Sequence, residues 1–370
     1  MIAPFDKRLR SHFHWPLFWL TLVISAVGFL NLYSATYNIA EKGASPLFWS
    51  QLIWFGIGVV LVFVVLLVDY RILLKLAYPL YGISLLLLVA VLFFGKEVSG
   101  NKNWLVLGPL TIQPSELAKI AFIIALSRCV SENPPLRGYD LRALIRPALL
   151  LFPPLVLIIL GKDIGSSLFL VLTFGTLVGF AGVQRKVLSI GLIIAILGGV
   201  GVYFKVLSPT QKGRIEVFLH PEKDPKGKGY HLLQSKIAVG SGRFMGKGYL
   251  KGMHNKLLYL PEKHTDFIFP VLAEEWGFVG SFVVLGLYLW ILIIGLQLAS
   301  KAKESFGVFL ALGITALFFW QVAINLGGVL GLMPLTGVTL PLLSYGGSSL
   351  VTILVGIGVL LNIPMRRFMF

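Results

Sequence analysis

The sequence predicts an all-α integral membrane protein: a bundle of about ten transmembrane helices with a large extracytoplasmic loop between the seventh and eighth. Three observations carry this. Of 370 residues, 56% are apolar or aromatic and only 13% are charged, about half the share of a soluble domain, and the mean hydropathy is +0.86. Apolar runs of roughly 20 residues, the length a bilayer core requires, recur along the chain without the alternating polarity of barrel strands. Finally, Lys and Arg outnumber Asp and Glu by 32 to 16, and the surplus is unevenly placed. Soluble globular, disordered and disulfide-framework classes are excluded, since the single cysteine, Cys129, has no partner in the chain.

The candidate spans lie near 15–36, 47–68, 72–94, 114–131, 146–160, 164–182, 187–206, 268–299, 306–330 and 345–363. The first follows Lys7, Arg8 and Arg10 and is too long for a signal-peptide core, so it reads as an uncleaved span. With the N-terminus inside, the inner segments hold fifteen Lys and Arg, and the short outer loops hold only Lys42, Lys96, Lys102 and Lys162. That bias puts both termini in the cytoplasm. Residues 1–370 therefore form one polytopic domain, with 207–265 as an outer loop inside it. From Lys205 to Lys263 there are twelve Lys and Arg against Glu216, Glu222, Asp224 and Glu262, a surplus of eight. The loop is either a solvated surface or one that attracts phosphates. Its many glycines favour turns over one long helix, and Tyr230 to Val239 has the pattern of an interfacial amphipathic helix. No internal repeat is visible.

Charges inside apolar spans mark the candidate site, because each costs about 2.5 to 3.5 kcal/mol at bilayer depth. The fourth span opens Gln113-Pro114-Ser115-Glu116-Leu117-Ala118-Lys119, with carboxylate and ammonium one turn apart. The pair either neutralises itself at a helix start or lines a polar cavity in the outer half of the bundle. Asp163 sits at a tight outer break, where a helix cap is the plain alternative. The densest cluster is Leu260-Pro261-Glu262-Lys263-His264-Thr265-Asp266-Phe267-Ile268-Phe269-Pro270. Thr265 or Asp266 suffices as an N-cap, which leaves Glu262, His264 and the other acid or hydroxyl in excess of capping. From Asp266 to Ser300 a helix would be roughly 50 Å long, more than a bilayer needs, so its start is expected to be a separate element in the outer leaflet with Glu274 and Glu275 near its end. No His or Cys spacing supports a built-in zinc site, although a loosely held Mg2+ or Mn2+ is compatible with the acids. The Gly240-to-Gly248 stretch lacks the strand and the Lys-Ser/Thr ending of a nucleotide loop, and no organic cofactor or nucleic acid is expected. Before the last span, Ser344-Tyr345-Gly346-Gly347-Ser348 reads as a turn with close packing, or as backbone amides that approach a phosphate.

Taken together these motifs resemble the shape, elongation, division and sporulation family of peptidoglycan polymerases, the RodA and FtsW proteins. The likeness rests on Lys102-Asn103-Trp104, Gln113 to Lys119, Asp163-Ile164-Gly165, Gln234 to Gly242, Leu260 to Phe269 and Ser344 to Ser348, and it spans almost the whole chain. The short termini and the Tyr230-His231 to Lys247-Gly248 stretch look more like the elongation branch, RodA, than the division branch. One departure is Gly161-Lys162, where the family commonly has Gln-Pro or Glu-Pro before the Asp.

The resemblance implies a ten-helix bundle that transfers glycosyl units on lipid II at the outer face of the cytoplasmic (inner) membrane, with Asp266 as the essential residue and Glu116 and Lys119 lining a central cavity. On that basis Asp266 is the expected catalytic base, and the expected substrate-binding set adds Gln113, Ser115, Trp104, Asp163, Arg214, Lys236, Glu262, His264, Thr265, Ser344, Tyr345 and Gly346. Arg214, Lys236, Lys119 or a Mg2+ or Mn2+ ion would stabilise the departing pyrophosphate. The implied partners are lipid II, the polyprenyl-linked glycan, a class B penicillin-binding transpeptidase and other elongation-complex membrane proteins. A lipid II flippase and a non-catalytic scaffold of the cell-wall complex are the alternatives; a flippase would need a polar path to the inner side, where the spans hold almost no ionisable residue.

Overall fold

The computed structural model describes residues 12–37, 45–98, 101–108, 110–132, 134, 138–205, 207, 209–223, 227–252 and 264–366. All ten expected runs are helices: α1 (Trp15–Thr36), α2 (Pro46–Leu67), α3 (Arg71–Phe94), α4 (Pro114–Glu132), α5 (Ile145–Leu160), α6 (Ile164–Ala181), α7 (Arg185–Lys205), α10 (Ile268–Lys301), α11 (Ser305–Val329) and α12 (Gly347–Met365). Seven of them are long and apolar enough to cross a membrane by length and composition alone. Between α7 and α10 the basic segment contributes α8 (Pro209–Leu219) and α9 (Lys228–Ser241).

One addition to the all-helical expectation is a small antiparallel sheet between α3 and α4, made of β1 (Lys96–Val98), β2 (Asn101–Leu107) and β3 (Leu110–Ile112). Gly108, at φ 63°, makes the β2–β3 turn, a backbone region that glycine enters at little cost. The sheet has a positional role. The Asn103 amide, turned so that its nitrogen faces the carbonyl, donates to Gly161 O at 2.7 Å, and the Gln211 amide from α8 donates to Lys162 O at 2.9 Å. A side chain at position 161 would collide with Asn103. The Gly161-Lys162 turn thus seats both the sheet and α8.

The expected amphipathic helix within 207–265 is α9. Its inner face, with Leu232, Ser235 and Ala238 buried, docks on the bundle through Ser235 Oγ donating to Val329 O at 2.8 Å. The helix phase then turns Lys236 outward, where its ammonium end rests against Gly331.

The long eighth span is two helices joined at Gly277, whose φ of 68° and ψ of −161° interrupt α10. Its first part is the separate outer element that the length predicts, ending at Glu274 and Glu275, which are 0% and 2% exposed. Their charges are met locally: Lys247 Nζ donates to Glu274 Oε1 at 2.7 Å and Ser34 Oγ to Glu275 Oε1 at 2.5 Å. The chain past α9 follows the kink, with Phe278 N donating to Arg243 O at 2.9 Å and Val279 N to Phe244 O at 3.1 Å.

At the opposite end of the bundle, Asn362 of α12 donates to Val65 O and Val68 O, both at 2.7 Å, and accepts from Tyr70 N at 3.2 Å. One amide thereby satisfies carbonyls that the last turn of α2 leaves without helical partners.

Candidate functional site

Four residues that precede α10 are held from three directions. Tyr345 N donates to His264 O at 2.8 Å, Ser344 Oγ to Thr265 O at 2.7 Å, and Asn325 Nδ2 to Asp266 O at 3.1 Å. Asn31 Nδ2 of α1 fixes the next turn by donating to Ile268 O at 2.9 Å. The structure corrects one expectation here: neither Thr265 nor Asp266 is the N-cap. That position is Phe267, with no side-chain cap bond, so the Asp266 carboxylate lines the cavity instead of closing a helix end.

The facing wall is the segment 336–347. Tyr288, fully buried, donates to Pro341 O at 2.6 Å, and Gln51 holds both Ser344 O and Gly346 N at 3.1 Å. Asn325 Nδ2 also donates to Val338 O at 2.6 Å, so one amide ties the Asp266 segment to this wall. Gly337 lies between the acid and the basic segment at φ 76°: a Cβ there would stand 3.3 Å from Arg214 Nη1 and 3.6 Å from Asp266 Oδ2. Arg214, delivered by α8, and Asp266 therefore bracket the same small space.

The third wall is the junction of α4 and α6. Asp163 caps α6 by accepting from Ser166 N at 3.0 Å. Its other oxygen accepts from Gln113 Nε2 at 2.9 Å, Ser115 Oγ at 3.0 Å and Ser166 Oγ at 2.8 Å. The cap reading and the cavity reading of Asp163 both hold, although four donors from the protein already surround the carboxylate. Below it, Glu116 and Lys119 form an ion pair at 2.8 Å, 6% and 2% exposed, and the Lys119 ammonium lies 4.9 Å from the centroid of the Phe169 ring.

These walls enclose a polar cavity of about 360 Å³. Of the expected residues it gathers Trp104, Gln113, Glu116, Lys119, Asp163, Arg214, His264, Thr265, Asp266, Tyr345 and Gly346. Ser115 and Ser344 are buried behind it as supports for Asp163 and Thr265. Lys236 does not line the cavity, because Ser235 and Ala238 occupy the inward face of α9. Glu262 lies outside the described residues. Trp54, Gln321 and Thr336 to Thr339 also line the cavity and are absent from the sequence-based set. Gln321 had a signal: a carboxamide in mid-span costs free energy unless it has a purpose.

The described residues bring no group of three His, Cys, Asp or Glu side chains together that could hold a metal ion, and the cation beside Asp266 across Gly337 is a guanidinium. These residues do not by themselves make the oxygen-rich ligand set that Mg2+ requires. A second, apolar groove of about 410 Å³ runs between α2, α3, α4 and α12, lined by Leu61, Val64, Leu87, Leu117 and Ile120 among others. Leu117 and Glu116 are neighbours on α4, one lining the groove and the other the polar cavity, and the two linings share no residue.

A polytopic helical bundle with a charged cavity sunk into one end, and a separate apolar groove among its helices, suits a membrane protein that handles an amphiphile. The chain belongs to the FtsW, RodA and SpoVE family of cell cycle proteins, whose family model matches residues 15–368. It is 38% identical over 317 residues to the peptidoglycan glycosyltransferase MrdB of Escherichia coli, covering 85% of this chain and 84% of the relative. Among solved structures it is similar to the rod shape determining protein RodA of Thermus thermophilus, with 34% identity, a TM-score of 0.72 and coverage of 97% of this chain and 98% of that one. It is also similar to a chain from a peptidoglycan synthase complex that coordinates polymerization and crosslinking, at 36% identity and a TM-score of 0.82, covering 97% and 99%.

Proposed function

We propose that this protein is a peptidoglycan glycosyltransferase of the RodA branch, which polymerises lipid II into glycan strands during cell elongation. The observation that carries the reading is the cavity rim, where one carboxylate, Asp266, and one guanidinium, Arg214, face a shared space across Gly337. A hydroxyl that attacks an anomeric carbon must lose its proton, and a pyrophosphate that departs must be neutralised. Asp266 takes the proton from the acceptor sugar's 4-hydroxyl as the new glycosidic bond forms with inversion. The anomeric carbon–oxygen bond to the polyprenyl pyrophosphate breaks, and Arg214 stabilises the charge left on its phosphates. An inverting glycosidase needs a second carboxyl as acid, whereas a pyrophosphate leaves without protonation when a cation is near. That accounts for one carboxylate paired with one guanidinium at the rim.

The apolar groove that begins at Leu117 suits a polyprenyl chain, each buried CH2 of which contributes about 0.8 kcal/mol. In this reading both termini are cytoplasmic and the cavity faces outward in the inner membrane, as the Lys and Arg bias requires. The partner is a class B penicillin-binding transpeptidase, which would crosslink the strands made here; the likeness to a chain from a peptidoglycan synthase complex supports it. Disfavouring the flippase alternative, the inner half of α4 beneath Lys119 is filled by apolar side chains, with Phe122, Ile123, Leu126 and Val130 at 0% or 1% exposure.

The test is polymerisation of lipid II by the purified protein in detergent or nanodiscs, with transpeptidases absent. Removing a general base costs about 10²- to 10⁴-fold, so Asp266→Asn should lose at least a hundredfold in rate with an unchanged melting temperature. Equal polymer from both proteins would exclude Asp266 as base. No polymer from the wild type, with or without the transpeptidase, would return the scaffold reading.

A further inference from the structure

The direction in which a side chain leaves the backbone is set by the two peptide planes that flank its Cα, because φ and ψ are the only soft backbone dihedrals there. At Asp266 both planes are pinned by side chains from elsewhere in the bundle. The plane before it carries Thr265 O, which accepts from Ser344 Oγ at 2.7 Å, and the plane after it carries Asp266 O, which accepts from Asn325 Nδ2 at 3.1 Å. The helix that follows does not supply this restraint, since its cap, Phe267, makes no side-chain bond.

Both side chains make a second bond, and in each case it goes to the facing wall. Ser344 Oγ accepts from Leu340 N at 2.8 Å, and Asn325 Nδ2 also donates to Val338 O at 2.6 Å. Val338 follows directly on Gly337, the residue against which Arg214 and Asp266 both lie. The backbone of the acid is thereby tied to the same strip of wall that faces the guanidinium. Asn325 and Ser344 are each 4% exposed and neither lines the cavity, so they act only through the backbone that they hold. The chemistry at 325 is specific: both partners are carbonyl oxygens, so the position needs two N–H donors on one short side chain, which a carboxamide provides. Leucine has nearly the same shape and no donor, while an aspartate would bring acceptors to acceptors.

We propose that Asn325 is a positioning residue for glycosyl transfer: with Ser344 it fixes the backbone of Asp266 to the wall beside Gly337, so that the carboxylate faces the space it shares with Arg214. The assignment rests on the transferase reading for the reaction that it serves.

The experiment compares Asn325→Leu with Asn362→Leu in the intact protein in nanodiscs, by melting temperature and by lipid II polymerisation per folded molecule. Each substitution removes a buried amide that donates to two carbonyls, and only one of those amides holds Asp266. Asn362→Leu should lower the melting temperature and keep kcat within about twofold. Misplacement of a reacting group by 1 Å costs about a hundredfold, so Asn325→Leu should lower kcat by about ten- to a hundredfold. Its KM for lipid II should stay within about threefold, because ground-state binding does not depend on where the base points. In an Asp266→Asn background the same substitution should cost less than about twofold, since a residue that acts through the carboxylate then has nothing left to position. Should Asn325→Leu fail to fold, Ser344→Ala removes a single hydroxyl and is read by the same split between kcat and KM and the same loss of effect beside Asp266→Asn. The proposal is overturned if the folded variant polymerises like the wild type, if its loss lies in KM alone, or if the loss is undiminished in the Asp266→Asn background, which would mark a packing role. Wild-type polymerisation matched by Asn325→Leu defeats the positioning role and leaves the transferase reading standing. A wild type that makes no polymer defeats the transferase reading, and the positioning role with it.

Discussion

Two sets of buried polar side chains, at opposite ends of the bundle, differ in how they are satisfied. At the inner end the Asn362 amide is saturated, its nitrogen shared between Val65 O and Val68 O and its oxygen accepting from Tyr70 N. At the outer end Glu116 Oε2 and Gln321 Oε1, also buried, have no hydrogen-bond partner among the described residues. A saturated polar group inside a membrane helix fixes packing, whereas an unsatisfied one costs stability where it stands. The two aspartates of the cavity are held by different parts of themselves. Asp163 has four donors around it and acts as a brace, while Asp266 has its backbone carbonyl held by Asn325 and its carboxylate at the cavity.

Substitutions that exchange these roles sharpen the comparison. The largest expected effect is at Glu116→Gln, which leaves the Lys119 ammonium buried without its counter-ion; breaking one side of a buried pair costs about 3 to 5 kcal/mol. The loss should be read as a lower melting temperature. Glu132→Gln removes one side of an exposed pair with Arg128 and should stay within about 0.5 kcal/mol. Equal melting temperatures for these two variants would show that the fourth-span pair is not buried in the working protein. Next is Asn362→Leu, which strands carbonyls at the end of α2 and should lower stability by about 2 to 3 kcal/mol in chemical denaturation while polymerisation per folded molecule is retained. If activity falls instead with stability intact, the two ends are not separate in role. The smallest effect is expected at Gly337→Ala. A left-handed Ala costs about 1 to 2 kcal/mol, and its methyl enters the space between Arg214 and Asp266, so polymerisation should fall about tenfold with little change in melting temperature. An unchanged rate would mean that the reacting groups pass elsewhere.

Much of this arrangement was legible along the chain. Hydropathy located all ten of these helices, seven of them long and apolar enough to cross a membrane, because solvation by lipid acts on each segment separately. Excess length alone indicated that the eighth span begins with a separate element, and the kink at Gly277 is where it ends. Charges at bilayer depth pointed to Glu116, Lys119, Asp163 and Asp266, since nothing but a pair, a cap or a cavity makes them tolerable there. The small sheet was less visible: only the turn at Gly108-Pro109 between short β-prone stretches marks it.

What the sequence determined by itself is therefore the transmembrane architecture and the chemistry-bearing residues, both consequences of local composition meeting a solvent that tolerates few polar groups. What only the tertiary structure decided is which of them meet. Lys236 is excluded by the phase of α9, Thr265 and Asp266 are released from capping, and Gln321 and Gly337 join the site from helices and loops far away in the chain. Helix phase and inter-helix register depend on side-chain packing between segments, and no single segment encodes them.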